Sequence, residues 1–314
     1  LKIIMHNKIL ITGSKGQLGR SLGAITGRYP QYDFILADRD LLNLIDPQCI
    51  DDFFQQNTFD VIINCAAHTA VDKAETEVEL ANKINNIAVL QLANIAKKQK
   101  IKFIHISTDY VFNGRQFRPY VETDATQPQS VYGETKLCGE QSIQKVLETN
   151  ALIIRTSWVY SEYGNNFVKT ILKLGAGRKN ISVIFDQIGS PTYAGDLAKA
   201  IMLIVQSDDF NQDSFNTQIH HFSNEGVCSW YDFAKIIFEL TDTDCQVQPI
   251  ETKGYPTAAA RPHYSVLNKT KIKIGVLGGS FDPAHKGHLA ISKEAKKRFK
   301  LKKVIWAITK KNPS

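Results

Sequence analysis

Short apolar runs rich in β-branched residues recur through the first half of the chain, at 8–12, 34–37, 61–64, 103–107 and 152–155. None alternates apolar with polar positions as a one-sided strand does. Each is therefore expected to be covered on both faces, as in a parallel sheet lying between helical layers. Amphipathic stretches long enough for helices separate the runs, among them 78–98 and 132–148. This alternation predicts an α/β fold with a doubly wound parallel sheet. The second half is less regular: 165–177, 194–206 and Trp230–Leu240 read as helices and 181–185 as a strand. These are too few for a second sheet and predict a smaller lobe packed on the first, with the active site between the two.

At Lys271 a strand, a glycine turn and a helix (from about His288 to Phe299) begin afresh. Charge breaks at the same place. Residues 269–314 carry 13 Lys and Arg against 2 acidic residues, a net of +11, and the first 268 carry 25 basic against 29 acidic, a net of −4. The overall +7 thus belongs to the tail, and the mildly acidic body gives no reason to expect nucleic acid as a partner. The expected organisation is a body over 1–270, with a core at about 5–160 and a lobe mainly over 161–270, followed by a partial β-α-β segment over 271–314. No apolar run approaches the roughly 20 residues of a spanning helix, and 1–8 lacks the apolar stretch of a secretory signal. Five scattered cysteines without a Cys-x-x-Cys pair argue against a disulfide framework or zinc site and fit a reducing cytoplasm.

Directly after the first run stands Thr12-Gly13-Ser14-Lys15-Gly16-Gln17-Leu18-Gly19, opening into a helix. A pyrophosphate needs a tight turn, close backbone approach and the free N–H groups of a helix start, and glycines at this spacing meet all three needs. An acidic residue ending the second run, Asp38, completes the pattern of a Rossmann-type dinucleotide site. Asp38 would bind the adenosine ribose and repel a 2′-phosphate, whereas Arg39 would attract one, so NADH and NADPH both remain open. The turn Asn64-Cys65-Ala66-Ala67-His68 falls at a strand end that a bound nucleotide must pass. His68 is expected there for shape and hydrogen bonding rather than as a base.

Tyr132 and Lys136 lie four apart on one helix face. An ammonium beside a phenol, helped by the nicotinamide ribose it also binds, is expected to draw the phenol from about 10 toward neutrality. The phenol could then protonate a carbonyl oxygen as hydride reaches its carbon. Thr108, in Ser107-Thr108-Asp109-Tyr110-Val111-Phe112 at the end of the fourth run, offers a hydroxyl to align the same oxygen.

With these residues in this order, the chain from about 8 to 268 resembles the extended short-chain dehydrogenases/reductases, and among them the dTDP-4-dehydrorhamnose reductases. The blocks 66–75, 107–112, 155–160, 166–168 and 186–192 and the pair Arg261-Pro262 carry the resemblance. It implies that Thr108, Tyr132 and Lys136 are the catalytic trio, and that Gly13, Gly16, Gln17, Leu18, Gly19, Asp38, Arg39, Asn43, Leu44, Ala66, Ala67 and His68 bind the cofactor with them. Asp109, Trp158 and Arg261 would join Thr108 around a dTDP-sugar, Trp158 offering a flat face to a ring and Arg261 a fork to the diphosphate. The implied reaction is NAD(P)H reduction of a 4-keto sugar nucleotide, in a possible homodimer. Asn43-Leu44 replaces the Asp-Ile of many relatives. Ser21 stands where some carry a glutamate that holds Mg²⁺ at a dimer bridge, so no Mg²⁺ is expected. Other readings are a non-catalytic NADP-binding regulatory subunit and a decayed fusion product.

The tail sequence 274–288, with Gly278-Gly279-Ser280-Phe281 and the pair His285 and His288, resembles the opening of nicotinate-nucleotide adenylyltransferases. Some 44 residues are too few to close a nucleotide-binding sheet, so independent adenylyl transfer is not expected. The junction resembles a gene fusion that shortens the end of the reductase.

Overall fold

The computed structural model describes residues 7–272 in full and, beyond them, only the backbone of 274–279 and 303–308. The elements that position the site are, in chain order, β1 (Asn7–Thr12), α1 (Gln17–Gly23), β2 (Tyr32–Ala37), α2 (Pro47–Gln56), β3 (Val61–Asn64), α3 (Ala88–Gln99), β4 (Lys102–Thr108), α4 (Val131–Val146), β5 (Ala151–Thr156), α5 (Phe167–Gly175), β6 (Asn180–Ile184), α6 (Ala194–Val205), β7 (Gln218–Phe222), α7 (Trp230–Leu240) and β8 (Gln246–Ile250). One six-stranded sheet runs β7-β5-β4-β3-β1-β2, and every pairing in it is parallel.

The unbroken apolar runs become strands, with both faces covered in β1, β3, β4 and β5, whereas β2 is an edge strand with Leu36 exposed. Ile9, Ile11, Ile63, Ile104 and Ile154 point to a layer that includes Leu22 of α1 and Leu197 and Ile201 of α6. Leu10, Ile62, Phe103 and Ile153 point the other way, against Ile50 of α2, Leu92 of α3 and Ile143 of α4. Helix starts follow their capping chemistry. The Asp46 side chain accepts from the amides of Gln48 and Cys49 ahead of Pro47, Ser130 accepts from Gly133, and Ser229 and Asp232 form a reciprocal box at α7.

Two features differ from the sequence expectation. First, helix α6 and strand β7 come from the stretch assigned to the second lobe, yet they belong to the main sheet and its cover. Gln218-Ile-His-His-Phe222 gives no apolar run, because the polar side chains of an edge strand are tolerated. Second, the continuous helix read over 78–98 is interrupted. Lys83–Ile87 is a π-helical turn between Val78–Asn82 and α3, and it turns Asn85 fully inward. The smaller lobe proper packs α5 and α7 on the parallel pair β6/β8, around Ile171, Val183, Ala234 and Phe238.

In the tail, Ile274–Gly279 pairs in parallel with Lys303–Ile308. His285, His288 and the helix expected from 288 lie outside the described residues. Among the described residues no helix is long and apolar enough to cross a membrane.

Candidate active site

The parallel sheet collects the ends of β1, β3, β4 and β5 along one edge, and the chemistry-bearing residues sit there. Gly13 has φ +65°, and a side chain on it would come within 2.7 Å of the Ala66 amide nitrogen. A Cβ on Gly19 would lie 2.3 Å from the Gly13 carbonyl oxygen, so α1 packs directly on its own loop. Gly16 donates its amide to Gly13 O at 2.9 Å and caps α1 without a side chain. The result is a bare backbone cradle, backed by buried Leu18, that fits a dinucleotide pyrophosphate.

Gln17, the first residue of α1, uses its side chain away from the cradle. Its Oε1 accepts from Ser161 Oγ at 3.1 Å and Asn166 Nδ2 at 2.9 Å, so the side chain ties the loop to the start of the second lobe instead of reaching into the cradle. At the end of β2, Asp38 accepts from the amides of Asp40 and Leu41 and lies 2.6 Å from Lys15 Nζ, which also meets Asp40 at 2.8 Å. The Lys15 ammonium holds the Asp38 carboxyl below the usual range. Arg39 is exposed beside it. The carboxylate that would repel a 2′-phosphate is therefore already countered by a cation from the glycine loop. Asn43 Oδ1 accepts from the Ile45 amide at 3.3 Å, and Leu44 packs against the sheet core.

After β3, Ala66 and Ala67 present little more than backbone, and the Ala66 amide donates to Thr12 Oγ1 at 3.4 Å. Asn85, from the π-helical turn, accepts from the His68 amide at 2.8 Å and donates to the His68 carbonyl at 3.2 Å and to Thr135 Oγ1 at 3.1 Å. His68 Nε2 lies 2.8 Å from Glu77. Asn85 thus fastens the loop after β3 to helix α4. Its signal in sequence would have been a polar residue on the apolar face of a helix.

Ser130 caps α4, whose first turns carry Tyr132 and Lys136. Lys136 is 1% exposed, donates to the Ile106 carbonyl at 2.7 Å and lies 3.1 Å from His105 Nε2. Thr108, at the end of β4, is hydrogen-bonded to Tyr132, donates to Asp109 Oδ1 at 3.0 Å and accepts from the Tyr110 amide at 3.2 Å. Tyr110 rests edge-on against Tyr132, ring centroids 5.5 Å apart. Farther down α4, Glu140 forms a buried bidentate pair with Arg155 of β5 and accepts from Ser107, which locks the helix to the sheet.

The charge expectation for Tyr132 is corrected. Desolvation pushes its phenol up to about 12; the Thr108 hydrogen bond opposes this and the Asp109 carboxyl adds to it. The ammonium is bonded away from the phenol, toward β4. Burial brings Lys136 down to about 8, with Glu140 and Cys65 opposing. A phenol that keeps its proton at neutral pH is the form a donor to a developing alkoxide requires. Asp109 is raised to about 6 by burial, opposed by the hydrogen bond from Thr108, and its Oδ2 has no hydrogen-bond partner.

Of the four expected sugar-nucleotide contacts, Trp158 and Arg261 are also engaged within the protein. One face of Trp158 is covered by Trp230, stacked at 3.4 Å and 8°, and the indole edge abuts Gly189. Trp158 is therefore part of an aromatic wall with Trp230 and Phe167. The Arg261 fork is closed by Asp72, at 2.8 and 2.6 Å, and by the Ala259 carbonyl at 2.8 Å. In this structure it clasps the segment after β3.

Residues 7–282 match the family described as RmlD substrate binding domain. The chain belongs to this RmlD family. A dTDP-4-dehydrorhamnose reductase of Aggregatibacter actinomycetemcomitans is 42% identical over 275 residues, covering 85% of this chain and 92% of that protein. The spore coat polysaccharide biosynthesis protein SpsK of Bacillus subtilis (strain 168) is 38% identical over 266 residues, covering 85% and 90%. Among solved structures, the dTDP-4-dehydrorhamnose reductase of Bacillus anthracis in complex with NADP superposes with a TM-score of 0.80 at 38% identity, covering 86% of this chain and 92% of that one. Beyond the RmlD region, and overlapping its end, residues 276–314 match a family described as cytidylyltransferase-like.

Proposed function

We propose that this RmlD-family chain is an NAD(P)H-dependent oxidoreductase that reduces the 4-keto group of dTDP-4-dehydro-β-L-rhamnose to dTDP-β-L-rhamnose for cell-surface polysaccharide. The carrying observation is the meeting of Thr108, Tyr132 and Lys136 at the end of β4, beside the glycine cradle. The nicotinamide cofactor, when bound, supplies the hydride that adds to C4. Tyr132 gives its proton to the developing alkoxide oxygen, a transfer favoured because a secondary alkoxide is more basic than a phenolate. Thr108 aligns that oxygen, and Lys136, one turn farther along α4 and bonded to β4, adds a positive charge to the site as the phenol loses its proton. Asp109 and the wall of Trp158 and Trp230 bound the sugar side. NADPH and NADH are both compatible with Asp38 countered by Lys15.

A cytoplasmic setting is part of this reading, favoured by five free cysteines. For 276–314, the finer reading as the opening of a nicotinate-nucleotide adenylyltransferase rests on Gly278-Gly279-Ser280-Phe281 with His285 and His288. The test is cofactor oxidation, followed by absorbance, with enzymatically made dTDP-4-dehydro sugar. Turnover is expected, and Tyr132→Phe should lose about 10²- to 10⁴-fold while still binding cofactor. Undiminished turnover in that variant would remove Tyr132 from the chemistry. Binding without any turnover in the parent chain would make it a regulatory subunit.

A further inference from the structure

On the face of the sheet built from Leu10, Ile62, Phe103 and Ile153, one cross-strand row is polar. Thr12 of β1 stands opposite Asn64 of β3, which stands opposite His105 of β4. All three are at most 1% exposed. Thr12 Oγ1 is 2.6 Å from the Asn64 amide, the other end of that amide is 3.0 Å from His105 Nδ1, and His105 Nε2 is 3.1 Å from Lys136 Nζ. The Phe103 ring lies parallel to the imidazole. Apolar side chains would fill this row without the desolvation cost of burying an alcohol, an amide and an imidazole. A polar row that ends on the one buried ammonium of the site therefore calls for a role in the chemistry.

The donor count limits what the row can do. Burial, and the charge of Lys136, hold His105 well below the usual imidazole range, so it is neutral, with one donor and one acceptor nitrogen. An ammonium can only donate. With Lys136 charged, Nε2 must accept, Nδ1 carries the proton, and the Asn64 carbonyl must face Nδ1. With Lys136 neutral, Nε2–H can donate to Nζ, the Asn64 amide N–H donates to Nδ1, and Thr12 donates to Asn64. The two arrangements differ in the imidazole tautomer, in which way round the amide sits and in whether Thr12 Oγ1 donates to that amide or accepts from it.

We propose that His105 is a positioning residue for Lys136, bonding its Nζ in both charge states through a reversal of the Thr12-Asn64-His105 row, so that the amine can give up and regain a proton without leaving its place. This rests on Lys136 being the cation of the proposed reductase site. Once Tyr132 has passed its proton to substrate, a phenolate remains, and Lys136, four residues on along the same helix face, is an acid that can return it. The other charged or titratable groups toward Lys136 are Glu140, held by Arg155, and Cys65 at the end of β3.

The test uses the whole chain labelled with ¹⁵N in histidine and read by NMR. His105 is expected as the Nδ1–H tautomer near pH 6.5 and as the Nε2–H tautomer near pH 9.5, with a midpoint that follows Lys136 at about 8. A tautomer that stays fixed across this range overturns the proposal. In kinetics, His105→Phe keeps the stacked ring but removes the acceptor, and should lower the Lys136 midpoint by about one unit. At pH 7.5 that change predicts roughly a threefold loss of kcat, recovered near pH 6. His105→Gln, which can accept or donate, should restore the parent pH profile. A merely structural histidine would lower kcat or Tm equally at all pH values, and that pattern also overturns the proposal. The tautomer titration needs no turnover. A switching His105 in an inactive chain would therefore refute the reductase reading alone, and a fixed tautomer in an active chain would refute the relay alone.

Discussion

Gly139 carries no side chain to bond or react, yet the structure makes it a sensitive position. It lies in α4, three residues beyond Lys136, where the helix crosses the π-helical turn of residues 83–87. A Cβ there would stand 2.2 Å from the Asn85 carbonyl oxygen, against at least 3.4 Å for an ordinary contact, and the obstructing atom is backbone. Gly139→Ala must therefore move α4 off the turn by about 1 Å, or break the bonds that Asn85 makes to His68 and Thr135. In an open mid-helix position the same change would gain about 0.5–1 kcal/mol from helix propensity. Forcing an extra methyl into a closed contact costs about 1–3 kcal/mol, so the clash wins. The displaced helix carries Tyr132 and Lys136, and a misplacement near 1 Å can cost about 10²-fold in rate. Urea unfolding and kcat should therefore fall together in Gly139→Ala. Gly27→Ala, whose Cβ meets nothing within 4 Å, is the control and should be neutral or slightly stabilising. A Gly139→Ala protein with parental stability and kcat would refute the account of how α4 is held.

Removing the Lys15 ammonium by Lys15→Ala leaves Asp38 and Asp40 uncountered at the adenosine end; the KM for NADPH should rise severalfold while that for NADH changes little, as steady-state kinetics with each cofactor would show. Asp109 is raised to about 6 in the folded chain, so the folded state binds more protons than the unfolded one between about pH 4 and 6, and stability falls as pH rises through that window. The penalty is absent below about pH 4 and complete above about pH 6, where a shift of about two units corresponds to about 3 kcal/mol. Asp109→Asn should accordingly be more stable than the parent by about 1–3 kcal/mol in urea unfolding at pH 8, with the difference vanishing at pH 4.

The four central apolar runs were legible because burial on both faces leaves no choice of residue: Ile9 through Ile11 and Val61 through Ile63 have nothing but core around them. The sixth strand was not, since Gln218 and His220 lie at the sheet's edge, where water and nearby charge accept what the centre rejects. The glycine loop and the pair Tyr132 and Lys136 could be read because their spacing is fixed by one turn and one helix. What escaped were partnerships across long sequence separations. Nothing local in Asp72 announces Arg261, 189 residues away, or tells Trp158 that Trp230 will lie on it. The direction of the Tyr132 shift was misread for a related reason: spacing reports that an ammonium is near but not which atoms it is bonded to, and here those are Ile106 O and His105 Nε2.

The return of α6 and β7 to the main sheet makes the two halves of the polypeptide inseparable. Severed after residue 160, the nucleotide-binding half would have β5, buried at all six positions, as a raw margin, and would bare the apolar flank that Leu197, Ile201 and Met202 cover. Such a fragment would aggregate rather than stand alone, so insertions and domain grafts in this lineage should be tolerated in surface loops and excluded from the seam between the halves.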